Sequence, residues 1–201
     1  MKILLIDTTT KDLVVALICD DKVIDCTQPN LGTRHSETLC LAIDQLLQKA
    51  NVTFDDLDAY ACSIGPGSFT GIRIGVSTVK GYNVACPKKL LALNTLQTIS
   101  CSANCGAKGS AIIDAGNGYY FADYTNNVAP CLIAYDDQRA QDAGSGANAS
   151  NYFDGLVLLA KQKFESGVFD DTLEPLYIRK SQAEEQKSNN VSKNLRQRTQ
   201  Q

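Results

Sequence analysis

Gly65-Pro66-Gly67-Ser68-Phe69-Thr70-Gly71-Ile72-Arg73-Ile74-Gly75 follows directly on Leu57–Ile64, a stretch that is nearly apolar throughout. The apolar stretch predicts a strand covered on both faces. Gly65-Pro66-Gly67 breaks it, and Ser68–Val84 predicts a helix. Strand, glycine-rich turn and helix make one unit of an α/β fold. The glycines admit two uses. A glycine-rich turn at a helix N-terminus can cradle an anion on free backbone N–H groups. Alternatively, Gly67, Gly71 and Gly75, four residues apart, leave a smooth stripe on which a second segment packs closely. Each interior glycine costs a helix about 0.8–1 kcal/mol relative to alanine, which favours the packing use. The stretch is neither a Walker loop nor a Gly-x-Gly-x-x-Gly fingerprint.

On the N-terminal side, Lys2–Asp7, Leu13–Cys19 and Val23–Thr27 read as three strands, the last two joined across Asp20-Asp21-Lys22. The pattern then changes period. Leu39, Ala42, Ile43, Leu46, Leu47 and Ala50 form one stripe of a helix over 34–50, with Thr33 or Ser36 as its cap and Glu37 in its first turn. On the C-terminal side, Leu90–Leu93 is a short strand, and Asn94 or Thr95 caps a third helix. The second half repeats the opening more faintly. Ser110–Asp114 and Tyr119–Tyr124 flank the turn Ala115-Gly116-Asn117-Gly118, and Cys131–Tyr135 follows. Asp137–Asn151, polar and rich in Ala, Gly and Ser, reads as a loop. Phe153, Leu156, Val157, Ala160 and Phe164 mark a helix ended by Gly167. Two halves of this kind imply a duplicated architecture: a first subdomain over 1–104, a smaller second over 105–184, and a basic, disordered tail over 185–201.

Composition narrows the chemistry. The chain has 201 residues, of which 44% are hydrophobic and 20% charged, with a net charge of −3. The apolar run ending at Cys19 is too short to span a membrane, and Asp7 interrupts the opening run before it could serve as a secretory leader, so a cytoplasmic chain is expected. Eight cysteines lie mostly in apolar runs, without Cys-x-x-Cys, and read as buried small hydrophobes. The single histidine, His35, excludes a multi-histidine metal centre. Residues 179–201 carry six basic and two acidic groups, against an acidic body. Such a tail can touch phosphate, but the chain is no dedicated nucleic-acid domain.

Four segments, in this order, resemble the TsaB (YeaZ) family: Ile6-Asp7-Thr8-Thr9, His35-Ser36-Glu37-Thr38-Leu39, Gly65–Gly75 and Glu174–Glu184. The resemblance is good over residues 1–100, moderate over 151–185 and looser between. It implies an α/β fold of two actin-like (ASKHA, RNase H-like) subdomains with mixed sheets flanked by helices, the second shortened. It further implies a non-catalytic scaffold subunit in the formation of threonylcarbamoyladenosine beside the tRNA anticodon. Its implied partners are the catalytic TsaD subunit and the ATPase TsaE, with tRNA engaged indirectly and a homodimer formed by the chain alone. The catalytic relative needs a His-x-x-x-His pair, and here leucine stands four residues after His35. On this basis no residue is assigned a catalytic or metal-binding role.

Pairing is expected through the first-subdomain helices, with Leu39, Ile43, Gly71, Ile72, Arg73, Gly75 and Val79 as interface candidates. Asp7, Thr8 and Thr9 are candidates for a degenerate nucleotide site. ATP-using members of the fold place a glycine-containing turn after the first-strand aspartate, where this chain has three β-branched threonines. No cofactor of its own is expected, and ATP is at most a weak ligand or one held at the partner interface. Asp114–Gly118 reads either as a second phosphate loop or as a plain hairpin turn. An ASKHA-type ATPase or phosphotransferase is the first alternative, and a glycopeptidase-like protease the second.

Overall fold

The computed structural model describes residues 1–29, 34–102, 109–141, 143–145 and 149–178. A five-stranded sheet has the order β3-β2-β1-β4-β5, built from β1 (Lys2–Asp7), β2 (Val14–Cys19), β3 (Lys22–Asp25), β4 (Ala59–Gly65) and β5 (Lys89–Asn94). β1 runs antiparallel to β2 and parallel to β4, so the sheet is mixed. Helices α1 (His35–Ala50) and α2 (Phe69–Ala85) cover one face. The other face is covered by α3 (Thr95–Ser100), α4 (Ala149–Glu165) and the second sheet. The α/β class with mixed sheets flanked by helices is therefore as expected.

The near-continuous apolar strands follow from this double cover. Successive side chains of a strand point to opposite faces. Ile3 and Leu5 enter the core beneath α3 and α4, while Leu4 and Ile6 enter the one beneath α1 and α2. Ala16, Ala59 and Ala61 keep the α4 side shallow. By the same alternation Asp7 follows Ile3 and Leu5 onto the α4 face, and Thr8 turns toward α2.

The second sheet has the order β8-β7-β6-β9, from β6 (Ser110–Asp114), β7 (Tyr119–Asp123), β8 (Val128–Ile133) and β9 (Gly144–Ser145). β9 lies parallel to β6 as β4 lies parallel to β1, so the strand order β3-β2-β1-β4 recurs as β8-β7-β6-β9. That finding corrects the reading of Asp137–Asn151 as a loop. Gln138–Ala140 form a 3-10 turn, Gly144–Ser145 pair with β6, and α4 already begins at Ala149. A two-residue strand of Gly and Ser pairs through backbone alone and leaves no side-chain period to detect. β8 begins three residues earlier than expected because Pro130 sits on an edge strand, where a missing N–H is tolerated.

The cap of α1 also needs correction. Ser36 lies inside the helix, and Arg34 precedes it without a side-chain cap bond. Thr33 falls outside the described residues, as do the proposed boundary at 104/105 and everything from Arg179 onward. α4, placed with the second half, packs its Leu156, Leu159 and Ala160 into the core that contains Ile3, Leu5 and Ala61. No helix among the described residues is long and apolar enough to cross a membrane.

Candidate functional site

Three elements meet at the end of β1. Asp7 is fully buried, and three donors surround its carboxylate. Oδ1 accepts the Thr9 N–H at 2.6 Å and the Thr9 hydroxyl at 2.7 Å, and Oδ2 accepts the Tyr152 hydroxyl of α4 at 2.6 Å. A buried carboxylate is tolerable when its lone pairs are filled in this way. Burial pushes the Tyr152 hydroxyl well above its usual pKa, and the charge and hydrogen bond of Asp7 push it further the same way. Sequence reasoning missed Tyr152. It lies one residue before the stripe that marks α4, and nothing in the chain announces a partner 145 residues away.

Thr8 faces the glycine stripe of α2. Its hydroxyl donates to the Gly71 carbonyl at 2.7 Å, and the Ser68 N–H donates to the Thr9 carbonyl at 2.7 Å. A Cβ on Gly71 would lie 1.8 Å from the Thr8 carbonyl oxygen, and one on Gly67 would lie 2.6 Å from that of Thr9. A Cβ on Gly75 would come within 2.5 Å of the Thr8 hydroxyl oxygen. The glycines do serve close packing, but against the Thr8-Thr9 turn of their own chain.

This placement corrects the list of interface candidates. Gly71, Ile72, Gly75 and Val79 on α2, with Leu39 and Ile43 on α1, are all buried within the monomer. Burying the apolar stripe on the sheet consumes the face that pairing was expected to use. Of the seven candidates only Arg73 is exposed. Its guanidinium lies 4.1 Å from the Phe69 ring centroid and its Nε donates to the Tyr177 hydroxyl at 2.9 Å, while the two rings stack at 4.4 Å. With Thr70, Ile74, Ser77, Lys80 and Pro175 this cluster lines a shallow groove of about 550 Å³.

Residues 171–178 run back along α2, with Leu173 buried, Leu176 donating its N–H to the Ile64 carbonyl, and Glu174 paired with Lys80 at 2.8 Å. That much of the Glu174–Glu184 segment, up to residue 178, is the chain returning to the first sheet. His35 is buried with Nε2 unpartnered, and Leu39 beyond it lies in the core. Among the described residues no three His, Cys, Asp or Glu side chains come together as a metal site.

A cleft of about 850 Å³ opens above the Asp7 turn. Thr9, Thr10, Lys11 and Asp12 line it from the β1–β2 turn, and Pro66, Gly67 and Ser68 from the start of α2. Across the cleft stand Thr95, Ile99, Ile113, Asp114, Tyr152 and Phe153. The hairpin Asp114–Gly118 therefore does face the Asp7 turn. Its Asp114 carboxylate accepts the Gly116 N–H at 2.7 Å and the Tyr135 hydroxyl at 2.9 Å, which together hold its pKa below the usual carboxylate range.

A model of the family described as TsaD, tRNA N6-adenosine threonylcarbamoyltransferase, matches residues 28–136. The chain is 31% identical over 128 residues to the tRNA threonylcarbamoyladenosine biosynthesis protein TsaB of Escherichia coli (strain K12), covering 62% of this chain and 55% of that protein. It is 32% identical over 137 residues to the protein of the same name from Bacillus subtilis (strain 168), covering 66% and 60%. The chain thus matches less than two thirds of the length of these curated relatives. Among solved structures, YeaZ from Pseudomonas aeruginosa superposes with a TM-score of 0.67 at 22% identity, covering 88% of this chain and 99% of that one. A second, titled as an uncharacterized protein with similarity to peptidase YeaZ from Pseudomonas aeruginosa, gives 0.70 at 22% identity over 89% and 99%. These two likenesses bear on the fold.

Proposed function

Because the chain belongs to the TsaB (YeaZ) family, within the reach of the TsaD model, we propose that it is a non-catalytic subunit that supports threonylcarbamoyl transfer to tRNA adenosine by binding a TsaD-type catalytic partner. The observation that carries this reading is Leu39. A His-x-x-x-His pair needs two histidines and the chain has one; Leu39 stands four residues after it and is 1% exposed in the core. Leucine offers a metal no lone pair, and among the described residues no three His, Cys, Asp or Glu side chains gather to replace the missing histidine. The reading also places the chain in the cytoplasm, with TsaE in the same assembly, tRNA reached through the partner, and a homodimer when the catalytic subunit is absent.

Docking is assigned to the outer side of α2 and the segment lying along it. Arg73, Phe69 and Tyr177 form a pre-ordered cluster there, with aromatic area and a bidentate cation of the kind that anchors interfaces. Binding would stabilise the partner's competent arrangement in proportion to its preference for that state. The test is a titration of the purified chain against TsaD, read by sedimentation and by threonylcarbamoyladenosine formation. Arg73→Glu should weaken association by about tenfold or more while the monomer melts normally. Unchanged association would move the interface elsewhere. Transfer activity by this chain without TsaD would end the non-catalytic reading.

A further inference from the structure

The exposed flank of α2 carries a pre-ordered receptor for one kind of side chain. We propose that Arg73 receives a carboxylate from an acidic segment of the catalytic partner, and that Tyr177, on the segment 171–178, is the residue that positions Arg73 for it. This rests on the docking face assigned above and adds the chemistry of its occupant.

Helical spacing sets the arrangement. Ile72, Val76 and Val79 of α2 are buried on the sheet, and Phe69, Arg73, Ser77 and Lys80 fall at i, i+4, i+8 and i+11 on the flank beside them. The chain returns along this flank in a fixed register. Leu173 is buried in the core beneath α1 and α2, and the Leu176 N–H donates to the Ile64 carbonyl at 2.8 Å. That register sets the Tyr177 ring on Phe69 and its hydroxyl 2.9 Å from the Arg73 Nε. Arg73 is thus held at two points, by this hydrogen bond and by the Phe69 ring 4.1 Å from its guanidinium. Ordering an arginine on binding costs rotamer entropy, and a side chain already ordered in the free chain has less of it to lose.

Charge identifies the occupant. Lys80 is paired with Glu174 and Arg139 with Asp137, but among the described residues no carboxylate forms an ion pair with Arg73. With Nε given to Tyr177, the terminal guanidinium nitrogens remain for an acceptor, and their planar fork matches a carboxylate with two parallel hydrogen bonds. Lys80 stands about 10 Å further along the helix by its rise per residue. Its partner Glu174 is exposed, so that pair is open to exchange with a second acid. The groove of about 550 Å³ runs past both cations, with Ile74, Val76, Pro175 and Tyr177 as its apolar wall. A segment that carries acidic groups beside apolar ones complements this order, and a basic one is repelled by it.

The experiment is calorimetric titration of the full chain with purified TsaD at low and high salt. Tyr177→Phe keeps the ring stack and removes the hydroxyl, so the monomer should melt with the parent while TsaD binding weakens by about three- to tenfold. Arg73→Lys keeps the charge and loses the fork, and should weaken binding by about tenfold with its salt dependence retained. In an Arg73→Ala background, Tyr177→Phe should have no further effect, whereas a residue that only supports the fold would add its loss in full. On the other side, exposed Asp and Glu of TsaD are replaced one at a time by Asn and Gln. At least one replacement should weaken binding of the parent and leave that of Arg73→Ala unaltered. Additive losses at Tyr177 and Arg73, Arg73→Lys binding as tightly as the parent, or no coupled acid on TsaD each overturns the proposal and leaves the docking reading intact. Variants that alter self-association of the chain and not TsaD binding place a second copy on this face and overturn it too. A parent chain that does not bind TsaD at all ends the docking reading, and the proposal with it.

Discussion

Asp7 and Tyr152 join the two halves of the chain through a 2.6 Å hydrogen bond between fully and almost fully buried groups. Tyr152→Phe leaves the ring in place but takes one donor from a charge that water cannot reach. A hydrogen bond to a charged group contributes about 1.5–3 kcal/mol, so urea unfolding at neutral pH should show a loss of that order. A parental midpoint in the variant would mean that Asp7 is satisfied without Tyr152. The bond also has a pH signature. The tyrosine hydroxyl is held above its unfolded value, so its contribution is complete below about pH 10 and falls as pH rises past that point. Alkaline titration followed by tyrosinate absorbance should therefore show Tyr152 ionising with unfolding, and stability should decline less steeply above that pH in Tyr152→Phe. Ionisation of this tyrosine in the folded chain would contradict the burial.

At the scale of one element, α2 separates what the sequence makes legible from what it hides. The four-residue glycine spacing and the helix-breaking cost correctly indicate close packing. Spacing alone carries no identity for the partner segment, and only the fold brings Thr8 against Gly71 and Gly75. The buried stripe was readable for the same reason that it was misassigned: apolar period reports which face is covered, whether by a sheet or by another protein. Arg73 was readable only as a charge, because Tyr177 lies 104 residues away in sequence. Substitutions along the helix sort these roles. Gly71→Ala would drive a Cβ into the Thr8 carbonyl and should cost several kcal/mol, at or beyond the ~1–3 kcal/mol usual for overpacking. Gly81→Ala meets nothing within 4 Å and should stabilise the helix by about 0.5–1 kcal/mol. Equal thermal shifts in the two variants would refute the seam. Bulky residues at Gly71 or Gly75 therefore probe folding, and Arg73 and Ser77 are the positions at which to probe association.

Across the whole molecule, the duplicated strand order suggests two independent halves, while the packing ties them into one. The first sheet has two long apolar faces, and α1 and α2 cover only one of them. The other is closed by α3, by α4 and by residues of the second sheet such as Ala111 and Ala122. Segment 163–170 then seals the β5 edge: Asp170 donates its N–H to the Leu90 carbonyl and accepts the Ala92 N–H, and Lys163 reaches the Ala92 carbonyl. Neither half can lose the other without exposing a core face, and unpaired β5 backbone groups would be exposed with it. The chain should consequently unfold in a single transition, with far-ultraviolet circular dichroism and tyrosine absorbance coincident in urea. Leu156→Ala is the sharper form of this test, because that side chain belongs to the second half by sequence and to the first sheet by contact. It is fully buried, and its truncation should cost about 2–5 kcal/mol and move both probes together. Two separated transitions, with only the later half of the chain destabilised, would instead assign α4 to an independent unit.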